Sequence, residues 1–174
     1  MFYPQVAVTG NKALATIKLP QCLLGGKYGP SLSCRSFFDP AQTKRLNQVL
    51  AALNENESVS GIFSPRDDTN KAGLTENSPA WQRQVFGEDI RGLHQATVMV
   101  AILDYIGEDP DPGTAFEIGY AYAHHMPIVA LQLTDMKMNL MLAGSITCFV
   151  TDIAELKTLD LDHVLVRPYV GPVF

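Results

Sequence analysis

Runs of basic residues are missing from this chain. Thirteen Lys and Arg stand against 18 Asp and Glu, for a net charge of −5. No basic stripe interleaved with aromatics occurs either, and phosphate neutralisation needs clustered Lys and Arg. A nucleic-acid partner is therefore not expected, whereas a small neutral or cationic substrate is compatible. No apolar run approaches the ~18 residues of a membrane span. The N-terminus carries no basic region ahead of an apolar core, so neither a membrane segment nor a signal peptide is expected. Cysteine is scarce: Cys22, Cys34 and Cys148 are odd in number and lack paired metal spacing. Reduced, unligated thiols in a cytoplasmic setting follow as the expectation. Internal repeats and low-complexity tracts are absent, and nothing in the sequence calls for a metal or an organic cofactor.

What the chain does have is ordinary globular material, 47% hydrophobic over 174 residues, enough for one domain with appendages. Residues 1–31 read as an N-terminal extension of unclear role. Val6 to Val8, a Thr9-Gly10-Asn11 turn signal and Ala13 to Leu19 suggest a hairpin within it. Gly25-Gly26-Lys27 is no phosphate loop, because it lacks the spacing and the following Ser or Thr. From Leu32 to Phe174 strands and helices alternate. Leu32 to Phe37 reads as a first strand, and Asp39-Pro40 as a helix start with Leu46, Val49, Leu50 and Leu53 on one face. Val59 to Phe63 is a short strand. Ser64 to Asn77 is polar and long enough for a substrate loop, and Ser78-Pro79 opens a second helix. Thr97 to Leu103 is a continuous apolar run, as expected of a strand covered on both faces. Ile128 to Leu133 and Ile146 to Val150 complete the strands. The tail to Phe174 is expected to dock rather than coil into a helix. The pattern predicts an α/β fold, doubly wound and flavodoxin- or Rossmann-like, with helices on both faces of a parallel sheet.

The densest signal is Asp111-Pro112-Gly113-Thr114-Ala115-Phe116-Glu117-Ile118-Gly119-Tyr120-Ala121. It follows the apolar strand, where parallel sheets bind ligands beyond their carboxyl ends. Two carboxylates, Asp111 and Glu117, should sit there, and a carboxylate in the first turn feels the positive end of the helix dipole. The same residues also admit a structural reading, since Thr114-x-x-Glu117 is a capping box. A third carboxylate stands out on the second helix. Trp81, Val85, Phe86, Ile90 and Leu93 mark its apolar half, and Asp89 falls in the middle of that half. A buried Asp is costly unless paired, hydrogen-bonded or facing a cavity. It is therefore either a structural Asp or a group aimed into a pocket, where burial raises its pKa toward acid–base use. His124-His125 sits at a helix end, where cationic residues are favoured by the dipole, and His94 and His163 have no motif around them.

Five stretches, in order and at fitting separations, resemble the nucleoside 2-deoxyribosyltransferase family. They are Phe37-Phe38-Asp39-Pro40-Ala41-Gln42; Trp81 with Glu88-Asp89-Ile90-Arg91-Gly92-Leu93; Asp111 to Ala121; Lys137-Met138-Asn139-Leu140-Met141; and Gly171-Pro172-Val173-Phe174. The resemblance implies that Glu117 attacks C1′ of a 2′-deoxynucleoside, giving a covalent deoxyribosyl-enzyme and a free base. A second base then displaces Glu117, with net retention, much as in retaining glycosidases. It implies that Asp89 and Asp111 hold the base and that one of them protonates its leaving nitrogen. Phe37 and Phe38 would wall the sugar pocket, and Gly113 would belong to the substrate-binding residues. Asn139 and the carboxylate of Phe174 would bind sugar hydroxyls in a neighbouring subunit's site, within a homo-oligomer that in this family is usually a hexamer built from dimers. For the same residues, an ordinary turn (Asn139), a frayed terminus (Phe174) and core filling (Phe37, Phe38) are the structural alternatives. Ala115 to Gly119 and Met138 to Met141 resemble the purine-restricted branch more than the broader one.

The first strand departs from the family pattern: Cys34-Arg35-Ser36 stands where small residues and an upstream Tyr are usual. Arg35 there favours a 5′-phosphate, so one alternative is an N-glycosidase of (deoxy)nucleoside 5′-monophosphates with water as acceptor. Another is a non-catalytic nucleotide-binding domain, since fold does not fix function.

Overall fold

The computed structural model describes residues 13–18, 40–68, 73–104 and 112–174. Its centre follows from two short apolar runs. Strand β3 (Val98–Ile102) and strand β4 (Ile128–Leu131) are buried at every position, as strands covered on both faces must be. They pair in parallel, Met99 with Ile128 through Ile102 with Leu131. Strand β1 (Ala13–Lys18) lies on the other side of β3, with Ala15 opposite Val98. Strand β2 (Val59–Phe63) and strand β5 (Cys148–Val150) form the edges. The order β2-β1-β3-β4-β5 is parallel throughout, so the fold is the α/β doubly wound sheet that the alternation of elements predicts.

Side chains alternate across this sheet. Val98, Val100 and Ile102 join a core with Leu46, Val49 and Leu53 of helix α1 (Pro40–Asn54) and Leu156 of a 3-10 helix (Ile153–Lys157). Met99, Ala101 and Leu103 pack on the opposite side, in a core with Leu93, Ile118, Ala121 and Leu142. Those four residues belong to helices α3 (Pro79–Gln95), α4 (Pro112–Ala123) and α5 (Leu140–Ser145). A one-turn helix α2 (Pro65–Asp68) follows β2. The tail docks, as expected. Arg167 pairs alongside Cys148, exchanging hydrogen bonds with Phe149 and Thr147 at 2.8 and 2.9 Å. This covers an otherwise open sheet edge.

One expectation needs correcting. Residues 13–18 fall within the segment read as an N-terminal extension, yet they supply a central strand. Both edges of β1 are taken, by β2 and by β3, which leaves no edge for a hairpin partner. The sheet therefore does not begin at residue 32. The stretch Leu32 to Phe37, read as the first strand, lies outside the described residues. Strand order reverses at β1, and the crevice beyond the carboxyl ends of β1 and β3 is where such a fold places ligands.

Candidate active site

Helices α3 and α4 both follow strands or loops of the carboxyl edge and lie side by side on one face. Their contact is set by aromatic rings. Phe86 meets Phe116 with centroids 6.2 Å apart, and His94 meets Tyr120 at 5.5 Å with a hydrogen bond between Tyr120 OH and His94 Nε2. These two contacts hold the helices against each other. Asp89 lies between Phe86 and His94 on α3, and Glu117 between Phe116 and Tyr120 on α4. The two carboxylates thus lie on helices whose aromatic side chains touch.

Both face inward. On α3 the buried positions are Val85, Asp89, Gly92 and Leu93, and on α4 they are Thr114, Glu117, Ile118 and Ala121. Each set repeats with the period of a core-facing stripe, and each carries one carboxylate. Asp89 is 4% exposed and Glu117 7%. Burying a carboxyl group in an apolar face is costly, and clefts are where proteins accept that cost. The reading of Asp89 as a polar group inside an apolar stripe is thus matched by its burial.

The helix start alters the reading of Glu117. Helix α4 begins at Pro112, so Thr114 is already inside its first turn and Glu117 is one turn further in. Thr114-x-x-Glu117 is therefore not a capping box, whose Thr must precede the helix. Nor does the dipole argument hold for Glu117, since that effect fades beyond the first turn. What remains is a buried carboxylate in the interior of the helix. Gly113 is the second residue of the same helix, half-buried. Asp111, Phe37 and Phe38 lie outside the described residues.

Gly92 explains how α3 comes so close to the strand edge. A Cβ there would overlap the ring of Phe63, the last residue of β2. Only glycine lets the helix backbone settle onto that ring. Asp89 is about 4.5 Å along the axis from Gly92, at a rise of ~1.5 Å per residue. A shallow hollow lined by Ala80, Arg83, Gln84, Gly87, Glu88 and Arg91 lies on α3 as well, but none of the six is among the residues of the buried stripe.

Asn139 and Phe174 are brought together. Asn139 is the N-cap of α5, its Oδ1 accepting from Met141 N–H at 2.9 Å. Val173 pairs with Met138, Phe174 N–H donates to Met138 O, and Leu140 N–H donates to Phe174 O, each of these two bonds 3.2 Å long. The last residue is therefore pinned beside Asn139 rather than frayed, although it is 55% exposed.

One buried carboxylate escaped the sequence reading. Asp104, 3% exposed, directly follows the apolar run that ends at Leu103. Its Oδ2 accepts from Leu133 N–H at 2.7 Å, and its Oδ1 from Thr134 N–H at 2.8 Å and Thr134 Oγ1 at 2.6 Å. An acid closing a buried strand at the carboxyl edge was the available signal. His124 and His125 follow the last residue of α4, as the dipole argument expects, with His125 at φ 58°. Among the described residues no group of three His, Cys, Asp or Glu side chains could hold a metal ion. No helix among them is long and apolar enough to cross a membrane.

Comparison with known proteins agrees with this geometry. Residues 32–155 match the model of the nucleoside 2-deoxyribosyltransferase family. A nucleoside deoxyribosyltransferase of Limosilactobacillus fermentum is 31% identical over 148 residues, 77% of this chain and 87% of that one. Among solved structures, the 2-deoxyribosyltransferase of the psychrotolerant Bacillus psychrosaccharolyticus is 26% identical. It superposes with a TM-score of 0.67 over 91% of this chain and all of that one. A conserved protein of Enterococcus faecalis V583, 21% identical, shares the fold with a TM-score of 0.59 over 83% of this chain and 96% of its own. The family match spans the helices that carry Asp89 and Glu117 and the N-cap residue Asn139, and on it the chain belongs to the nucleoside 2-deoxyribosyltransferase family, transferases that act on nucleosides.

Proposed function

We propose that this protein exchanges the nucleobase of 2′-deoxynucleosides through a covalent deoxyribosyl-Glu117 intermediate. The observation that carries the reading is the pair of buried carboxylates, Asp89 and Glu117, on two helices in contact with each other. One carboxylate attacks C1′ as the base departs. The bond from C1′ to the base nitrogen breaks, its electron pair stays on the base, and a proton from a carboxylic acid neutralises it. Neutral bases are poor anionic leaving groups, so that proton is worth roughly 10²–10⁴ in rate. A second base then attacks C1′, the Glu117 carboxylate leaves, and the two inversions retain the β-configuration.

In this reading Glu117 is the nucleophile, and Asp89 and Asp111 hold the base, one of them as acid. Two carboxyls near Glu117 repel each other as anions, which favours one protonated partner near neutral pH. Phe37 and Phe38 wall the sugar pocket, and Gly113 belongs to the substrate-binding residues. Asn139 and the Phe174 carboxylate complete the site of a neighbouring subunit in a homo-oligomer of dimers. Their pinning to one another supports a shared role, because one rigid corner could then present both an amide and a carboxylate to sugar hydroxyls. The setting is cytoplasmic, the substrates are 2′-deoxynucleosides and free bases, and the preference is for purines.

The test is base exchange. Deoxyinosine with adenine should yield deoxyadenosine and hypoxanthine, whereas Glu117→Ala should lose at least ~10³-fold of that rate. Thymidine as donor should react poorly if purines are preferred. Hypoxanthine released without deoxyadenosine would turn the reading to hydrolysis. Wild-type protein that neither releases nor exchanges base would refute the reading for these donors.

A further inference from the structure

We propose that Asp104 is a positioning residue for this reaction, holding the segment that leads to Asn139 in register with helix α1 and the end of β3. The inference rests on the function proposed above. Asp104 joins three elements at the carboxyl edge. Its carboxylate binds the backbone N–H groups of Leu133 and Thr134 and the Thr134 hydroxyl, just beyond β4. Its carbonyl accepts from Gln42 Nε2 at 3.3 Å and Arg45 Nη1 at 3.2 Å, both on α1. The same Arg45 Nη1 lies 4.0 Å from Asp104 Oδ2 and 3.3 Å from Gln42 Oε1. Only a carboxylate can take all three side-chain bonds, because it accepts through both oxygens and presents no donor of its own.

The held segment is coil, and coil is where position has to be imposed. Between β4 and α5 it is tied repeatedly: at Leu133 and Thr134 by Asp104, at Met136 by Gln132 Nε2 at 3.3 Å, and at Met138 by the Val173 pairing. It ends at Asn139, the residue assigned to sugar hydroxyls. On the other side, α1 starts at Pro40, directly after Phe37-Phe38-Asp39 in sequence. A displacement of about 1 Å in a substrate-positioning group costs on the order of 10²-fold in rate. Asp104 therefore acts on the sugar through the segments it ties, without touching the reacting atoms.

Kinetics of Asp104→Asn, Thr134→Val and Thr134→Ser, each run beside the wild-type protein with deoxyinosine and adenine, test this. Asn would turn an NH₂ toward a backbone N–H, losing at least one of the three bonds. Asp104→Asn should lower kcat/KM for the donor deoxynucleoside by about 10- to 100-fold while kcat/KM for the acceptor base stays within about threefold. Thr134→Val should shift the donor ratio in the same direction by less, and Thr134→Ser should restore it. A purely structural role would lower the folded fraction, read by circular dichroism, and reduce both ratios equally. That equal loss, or no loss, overturns the inference while leaving the proposed function standing. If Asp104→Asn does not fold, equal donor ratios for Thr134→Val and Thr134→Ser overturn it. A wild-type protein without base exchange or release refutes the proposed function and this inference together.

Discussion

Gly92 allows a test in which most confounding effects cancel. In an exposed helix interior, replacing Gly by Ala gains about 1 kcal/mol. Gly87 on α3 and Gly119 on α4 have open space where a Cβ would go, whereas a Cβ at Gly92 would overlap the Phe63 ring. Overpacking of that kind costs about 1–3 kcal/mol. Gly87→Ala should therefore stabilise by about 1 kcal/mol, raising Tm by ~2–4 °C in a domain of this size. Gly92→Ala gains the same propensity and loses the packing. Between the two variants the propensity cancels, so Gly92→Ala should melt roughly 2–12 °C below Gly87→Ala. Thermal unfolding followed by circular dichroism or calorimetry reads the difference. The helix also has to move outward to make room, and Asp89 moves with it. Base-exchange kcat/KM should fall on the order of tenfold in Gly92→Ala and stay at the wild-type value in Gly87→Ala. If Gly92→Ala melts at or above Gly87→Ala, the close approach of α3 to β2 is wrong, and so is the placement of Asp89 built on it.

Glu117→Gln keeps the shape of the buried side chain but not its nucleophilicity. It should leave no deoxyribosyl adduct in the intact-protein mass spectrum of a reaction stopped in turnover, where wild-type protein shows one; an adduct on the variant would assign the nucleophile elsewhere. Asn56 is 5% exposed; its Nδ2 donates to Leu156 O at 2.7 Å and Leu159 O at 2.8 Å, while its Oδ1 accepts from Ser58 N–H at 2.8 Å and Oγ at 2.6 Å. Asn56→Ala strands those partners and should cost about 2–4 kcal/mol in urea unfolding, with exchange kinetics per folded molecule unchanged. Burial, partly countered by Arg167, raises the Cys148 thiol above its ordinary 9.0. The folded state then keeps a proton that the unfolded chain releases, so this contribution is intact below 9.0 and is lost as pH rises from there through the folded value. Between about pH 8 and about pH 10, Cys148→Ala should lose less stability than wild-type protein in urea melts; equal slopes would show that the thiol does not couple to folding.

The parts of the fold legible in the sequence are those whose signal is local. Val98 to Ile102 and Ile128 to Leu131 are apolar without a break, and a strand buried on both faces admits little else. Ser78-Pro79 announces α3, and the structure shows the Ser78 hydroxyl accepting from Trp81 N–H at 3.2 Å. The place of β1 in the sheet was not legible, for the opposite reason. Nothing within Ala13-Leu14-Ala15-Thr16-Ile17-Lys18 tells a terminal hairpin strand from a central parallel one. That distinction is made by Val59 to Phe63 and Val98 to Ala101, more than forty and eighty positions away.

The candidate site divides along the same line. Asp89 could be read because its neighbours on one helix define an apolar half, and a single polar residue inside that half is a local contradiction. Glu117 stands out by its motif, while the capping alternative for Thr114-x-x-Glu117 fails because the helix starts at Pro112; a shift of three residues in a helix boundary decides between a cap and a helix interior. Asp104 shows the limit of such reading. Its partners are 29, 30, 59 and 62 positions away, and no window around Leu103 contains them. A carboxylate whose duty is assigned by a local stripe can be found from sequence. For one that joins distant segments, position at a strand end is the only local signal, and its partners appear once the sheet has brought those segments to a common edge.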